Sequence, residues 1–123
     1  MTGDKTMRIG EVTERTSLSL RTLRHWDDVG LVQPSGRTEG GFRLYTDADV
    51  ERILIIRRMK PLGYTLDEMR DLLDVVDALT AAPDDASLRA RLEDIRAGDE
   101  LRREKLAEQL GMADDFLQQL DQL

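Results

Sequence analysis

Residues 19–46 read SLRTLRHWDDVGLVQPSGRTEGGFRLYT, and the rest of the chain makes sense outward from them. Ser19 suits a helix N-cap, because its hydroxyl can accept from an amide that the first helical turn leaves unpaired. The pattern from Leu20 to Val29 is helical, and Gly30 stands where a C-terminal cap is wanted. Leu20, Leu23 and Trp26 share one face by i, i+3 spacing. Arg21, Thr22, Arg24 and His25 lie off that face, toward solvent or a ligand. Pro34 and Gly36 end the helical region. Gly40-Gly41 then suits a two-residue hairpin turn, since glycine accepts positive φ at both positions. On the returning strand Phe42 and Leu44 face one way, Arg43 and Tyr45 the other. The segment predicts a helix followed by a small β-wing.

On the N-terminal side a helix is expected over Met7 to Arg15, with Ile9, Val12 and Leu18 as its apolar positions and Thr16-Ser17 as its break. Two short helices joined by about three residues have the layout of a helix-turn-helix. On the C-terminal side Thr46 with Asp49 resembles a capping box ahead of Val50, Ile53, Leu54, Ile56 and Met59. Pro61 and Gly63 end that helix. Thr65 with Glu68 forms a second capping box ahead of Leu66, Met69, Leu72, Leu73 and Val76. After a break at Ala81-Ala82-Pro83-Asp84-Asp85, no proline follows, and a helix about 50 Å long is expected from Ala86 to Leu120.

The apolar stripe of this long helix runs Leu88, Leu92, Ile95, then Leu106, Leu110, Ala113, Leu117 and Leu120. Its spacing alternates three and four, the pattern of a coiled-coil seam. Asp99 and Arg102 interrupt the seam, and Gly98 and Gly111 weaken the helix locally. So small a chain has too little to cover such a seam, so the expected partner is the same helix of a second copy, in a homodimer. Leu88, Leu92, Ile95, Leu106, Leu110 and Leu117 are the expected dimerisation residues.

The 123 residues carry a formal charge of −7, which by itself argues against anionic partners. The charge is divided unevenly. Residues 1–63 hold 11 basic and 9 acidic side chains, whereas residues 64–123 hold 7 and 16. With no Cys there is no disulfide framework, thiolate metal site or Cys nucleophile. A single His, His25, speaks against a histidine metal site or a Ser-His-Asp triad. No apolar run approaches the roughly 18 residues of a membrane span. The opening MTGDKTMRIG lacks the apolar core of a signal peptide, so a cytoplasmic protein is expected.

Arg21, Arg24 and His25 on the capped helix, with Arg37, Arg43 and Tyr45 on the wing, form the strongest chemical constellation. Arg and Thr on a helix suit phosphate and major-groove contacts, and basic wing residues suit the flanking backbone. The plain alternative is a small helical domain with a solvated basic face, its patch diluted by Asp27, Asp28 and Glu39. The pairs Asp27-Asp28, Asp84-Asp85 and Asp114-Asp115 converge with no nucleophile or base, and no enzyme activity is expected. Met59 and Met69 fall on apolar faces and read as core.

The segment from Met7 to Leu73 resembles the MerR family of bacterial transcription regulators. The resemblance rests on the IGEV opening, the RTLR core, the DxxGLxxP exit, the R-x3-GFRxY wing, the DV-x-R continuation and LGYTLDEM, all in order. It implies a mainly α protein: a winged helix-turn-helix DNA-binding domain over residues 1–80, then a dimerisation helix over 84–121 pairing as an antiparallel coiled coil. It places Arg21, Thr22 and Arg24 on the recognition helix and Arg37, Arg43 and Tyr45 on the wing as backbone contacts. Where the family commonly has Tyr-Tyr after the recognition-helix Arg, this chain has His25-Trp26. His25 can still donate to a phosphate, and Trp26 reads as core.

The resemblance implies no cofactor. The family's metal sensors use Cys, which is missing here, and its drug-binding members carry a large C-terminal domain, which the three residues after Leu120 lead one not to expect. The implied partners are double-stranded promoter DNA, a second copy of the chain and RNA polymerase at the promoter, with no membrane. The implied mechanism is bending and untwisting of an over-long promoter spacer. The residues name no effector: a small molecule at the junction of lobe and dimer helix, a partner protein or no signal at all are each compatible with them. A protein-protein adaptor working through the acidic helix, and an excisionase-like architectural DNA binder, are the alternative readings.

Overall fold

The computed structural model describes residues 5–123. In the first part of the chain the elements are β1 (Thr6–Arg8), α1 (Ile9–Thr16), α2 (Leu20–Asp28), β2 (Gly36–Arg37), β3 (Arg43–Thr46) and α3 (Asp47–Met59). The three strands form one antiparallel sheet in the order β1-β3-β2. Met7 therefore lies in a strand opposite Tyr45, not in the first helix as its apolar spacing suggested. Three residues are too few to display a strand's alternation, and the partner that makes them a strand lies far along the chain.

The wing turn also differs from expectation. Thr38 accepts from Gly41 N at 2.9 Å and its own N–H donates to Phe42 O at 2.9 Å. Glu39-Gly40-Gly41 is thus a three-residue loop, and of the two glycines only Gly41 takes positive φ, at 84°. This is the turn-plus-bulge solution for a hairpin, which places one left-handed residue after the turn.

α1 packs against both α2 and α3. Val12, Leu23, Trp26, Ile53, Ile56 and Met59 are buried, with an aliphatic majority as the low aromatic content requires. Ser19 caps α2 by accepting from Thr22 N at 3.1 Å. Leu20, expected beside Leu23 and Trp26, is 41% exposed in the first turn, and Asp27 occupies the inner face at 6%. Thr46 and Asp49 form a full capping box on α3. The same Asp49 carboxylate accepts from Ser35 N and Oγ, pinning the loop before β2 to the start of α3.

A 3-10 turn (Lys60–Leu62) leads into the second part, which holds α4 (Leu66–Ala81) and α5 (Ala86–Asp121). The Thr65–Glu68 capping box starts α4. Asp85 caps α5 by accepting from Leu88 N at 3.0 Å. α5 runs unbroken through Gly98 and Gly111. The chain divides into two compact units, Met1–Lys60 and Pro61–Leu123. The division falls well before the expected 80–84 boundary, because α4 packs against α5 and so belongs with the long helix. Residues 1–4 of the expected first lobe lie outside the described residues.

Within the second unit the half-buried positions of α5 are Leu88, Leu92, Ile95, Asp99 and Arg102. Their spacing of four and three marks one continuous face. Leu88, Leu92 and Ile95, expected at a dimer seam, therefore lie on the covered face of α5 in the unit where α4 packs on it. Asp99 and Arg102 do not interrupt that face; they continue it with polar contacts. Tyr64 donates its hydroxyl to Asp99 Oδ2 at 2.6 Å. Arg102 stacks over the Tyr64 ring at 4.6 Å, donates to Leu62 O at 3.3 Å and pairs with Glu68. Beyond Arg102 every residue of α5 is exposed, including Leu110 at 64%, Phe116 at 58% and Leu117 at 59%. No helix among the described residues is long and apolar enough to cross a membrane.

Candidate nucleic-acid interface

α2 presents Arg21, Arg24 and His25 to solvent, one turn apart on one face. None of the three has an ion-pair partner among the described residues. The reason is local: Leu23, Trp26 and Asp27 occupy the inner face, which fixes the rotation of the helix about its axis. Thr22 is half-buried, and its hydroxyl lies 2.9 Å from Ser19 Oγ at the helix start. It belongs to the cap as much as to the outer face.

The wing places Arg37 and Arg43 directly opposite each other on β2 and β3. Both meet Asp27 of α2. Arg43 Nε donates to Asp27 Oδ2 at 2.6 Å, and an Arg37 terminal nitrogen donates to the same oxygen at 3.0 Å. Burial by itself pushes the Asp27 carboxyl up. The hydrogen bonds and charges of Arg43 and Arg37 outweigh that and hold it below the usual aspartate value. The bond to Asp27 in turn raises the Arg43 guanidinium. Asp27 thus does more than dilute the basic patch: it offsets one of the two arginine charges and, by binding both arginines, holds them in place.

Tyr45, expected on the wing surface, is 1% exposed. The alternation that pairs it with Arg43 holds, but the shared face points inward. Its hydroxyl is buried without a hydrogen-bond partner among the described residues, and burial, with the nearby Asp27 charge, pushes its pKa up. It drops out of the set that can touch a ligand directly. Two residues outside the expected set stand at the surface instead: Phe42 at the end of the wing is 62% exposed, and the Arg8 guanidinium lies 5.1 Å from its ring centre. No sequence signal singled out Arg8, because the pair depends on β1 and the wing meeting in one sheet.

A capped helix with three unpaired cationic or donor side chains, followed by a two-arginine wing, is an arrangement for anionic duplex ligands. Residues 7–75 match the family described as MerR HTH family regulatory protein. Residues 50–123 match the family described as MerR, DNA binding. The chain belongs to the MerR family of transcription regulators. This MerR-family chain is 43% identical over 67 residues to the HTH-type transcriptional activator mta of Bacillus subtilis, a match covering 54% of this chain and 26% of that protein. It is 41% identical over 70 residues to the mercuric resistance operon regulatory protein of Bacillus cereus, covering 57% and 53%. The chain therefore spans from about a quarter to about half the length of these curated relatives. Among solved structures it is similar to MtaN, the N-terminus of the Bacillus subtilis multidrug transporter activator. That likeness has 31% identity and a TM-score of 0.60, and covers 94% of this chain and 95% of the other. MerR-family proteins are transcription regulators, not enzymes.

Proposed function

We propose that two copies of this chain bind a pseudo-palindromic promoter element and control transcription by distorting its DNA, with RNA polymerase as the enzyme that reads the result. The observation that carries the reading is the outer face of α2, where Arg21, Arg24 and His25 stand exposed, without an ion-pair partner among the described residues, beside the Arg37–Arg43 wing. In this reading α2 enters the major groove, where arginine can address guanine edges, while Arg43 and Arg37 take the adjoining phosphates. The site of action is the bacterial nucleoid in the cytoplasm.

The second copy is supported by the far half of α5. Leu106, Leu110, Leu117 and Leu120 are exposed at 38%, 64%, 59% and 46% along one stripe. In proteins most helical stability comes from packing of an apolar face rather than from propensity, so this exposed stripe of α5 calls for a partner surface. An identical helix running antiparallel supplies a matching stripe. Because Leu88, Leu92 and Ile95 lie on the covered face of α5, the seam is centred on 106–120.

Selecting bound duplexes from a random library tests the reading. Expected are inverted half-sites about one helical turn, roughly 34–36 Å, apart, a steep fall of affinity with salt, and a bend when the site is placed at different positions in a fragment. Transcription in vitro with polymerase then separates activation from repression. An Arg21→Ala/Arg24→Ala/Arg43→Ala variant that binds the selected duplex as the parent does would overturn it.

A further inference from the structure

The buried carboxylate of α2 has a role that its sequence position does not announce. Asp27 is 6% exposed, and a buried charge persists only where it is paired and hydrogen-bonded. One of its oxygens accepts from both wing arginines. Those arginines face each other across β2 and β3, where like charges repel. Asp27 cancels one of the two charges, which lets the wing close while leaving the trio with one positive charge in surplus.

The donors left over matter most. Arg43 reaches Asp27 through Nε alone. Its two terminal nitrogens have no partner among the described residues, and its side chain is 24% exposed. A guanidinium held by its Nε edge presents the other end as a fixed fork, and a fork already in place loses less freedom when it closes on an anion. The anchoring residue also sits in α2, so the fork's position is tied to the rotation of the helix that bears Arg21, Arg24 and His25.

We propose that Asp27 is a positioning residue for DNA: it aims the Arg43 fork at a backbone phosphate flanking the groove that α2 occupies. The inference rests on the reading of α2 and the wing as the DNA-contacting surface. Asp27 itself touches no DNA.

The test uses the full chain and a duplex selected with it, with affinity measured at several salt concentrations. Asp27→Asn removes a negative charge, so simple electrostatics predicts tighter binding. Positioning predicts the opposite: a loss of about tenfold, with no further loss when Arg43→Ala is added to Asp27→Asn. Arg43→Lys keeps the charge and the reach but lacks the fork, and should lose nearly as much as Arg43→Ala; this arm decides the matter if Asp27→Asn fails to fold. Binding by Asp27→Asn at least as tight as the parent's, or independent, additive losses in the double variant, would overturn the proposal, as would parental binding by Arg43→Lys. An Arg21→Ala/Arg24→Ala control separates the two claims. If that control loses affinity while Asp27→Asn does not, only the positioning role fails; if the parent binds no duplex, the DNA reading and the positioning role fail together.

Discussion

Two acid–base clusters, one in each compact unit, use the same residue types to opposite ends. On the wing a single carboxylate, Asp27, holds two arginines and leaves the terminal nitrogens of Arg43 uncommitted. In the second unit a single arginine, Arg102, has both terminal nitrogens committed, to Leu62 O and to Glu68, and its plane lies over the face of Tyr64. Tyr64 is in turn bound to Asp99. The first cluster has donors to spare and a surplus positive charge. The second has both terminal nitrogens of its arginine in use and, with two carboxylates to one guanidinium, a surplus negative charge. An arginine is available to a ligand in proportion to the donors its own fold leaves free, and by that measure the wing is the better suited of the two to bind and the second cluster to clasp.

The contrast can be broken most forcefully at Asp27. Asp27→Ala leaves Arg37 and Arg43 facing each other with nothing between them, and should cost about 1–3 kcal/mol of stability, softened by the arginines' access to water. Urea denaturation reads this directly. Arg102→Ala should cost about 1 kcal/mol, since its partners are partly solvated, and should leave DNA affinity within about twofold. A larger drop in DNA affinity than in stability would mean that the clasp is not merely structural.

Titration sharpens the comparison further. The Asp27 carboxyl is held below its ordinary value in the folded chain. Its contribution is therefore fully present above the ordinary aspartate range, about pH 4, and is lost as pH falls through the depressed folded value. Melting temperature should decline on acidification more steeply in the parent than in Asp27→Asn. At the alkaline end both tyrosines are raised: Tyr45 by burial and the Asp27 charge, Tyr64 by burial and its bond to Asp99. These are the two tyrosines of the chain. A raised folded value favours the fold below the ordinary tyrosine pKa, about pH 10, and that support is lost as pH rises through the folded value. Ultraviolet titration should show less tyrosinate near pH 10 in the folded chain than in the chain unfolded by urea. Tyr64→Phe, which removes one hydrogen bond of the same cluster, should have an effect comparable to that of Arg102→Ala, about 0.5–1.5 kcal/mol in urea denaturation.

Much of this was legible in the chain because it is local. Ser19, Thr46 with Asp49, and Thr65 with Glu68 cap their helices as their spacing predicted. A cap is closed by residues two or three positions away, so the sequence contains both partners side by side. The outward set Arg21, Arg24 and His25 was legible for the same reason, once Leu23 and Trp26 marked the inner face. Apart from the local wing turn, the misses were cases where the partner lies elsewhere in the chain or where no partner covers the residue. Leu20 escapes the inner face because nothing covers the first turn of α2. Asp27 read as a flaw in a basic patch because its two partners lie on the wing, 10 and 16 residues on.

The sequence by itself determined the helices, their caps, the existence of the wing and the family, since each depends on short-range spacing or on ordered motifs. Tertiary structure alone decided that Met7 begins a strand, that Tyr45 turns into the core, that Leu88, Leu92 and Ile95 lie on the covered face of α5, and that Asp27 governs Arg37 and Arg43. The physical reason is the same in each case. Burial, strand pairing and the pairing of a buried charge are properties of two segments brought together, and no run of residues displays the segment that will come to lie against it.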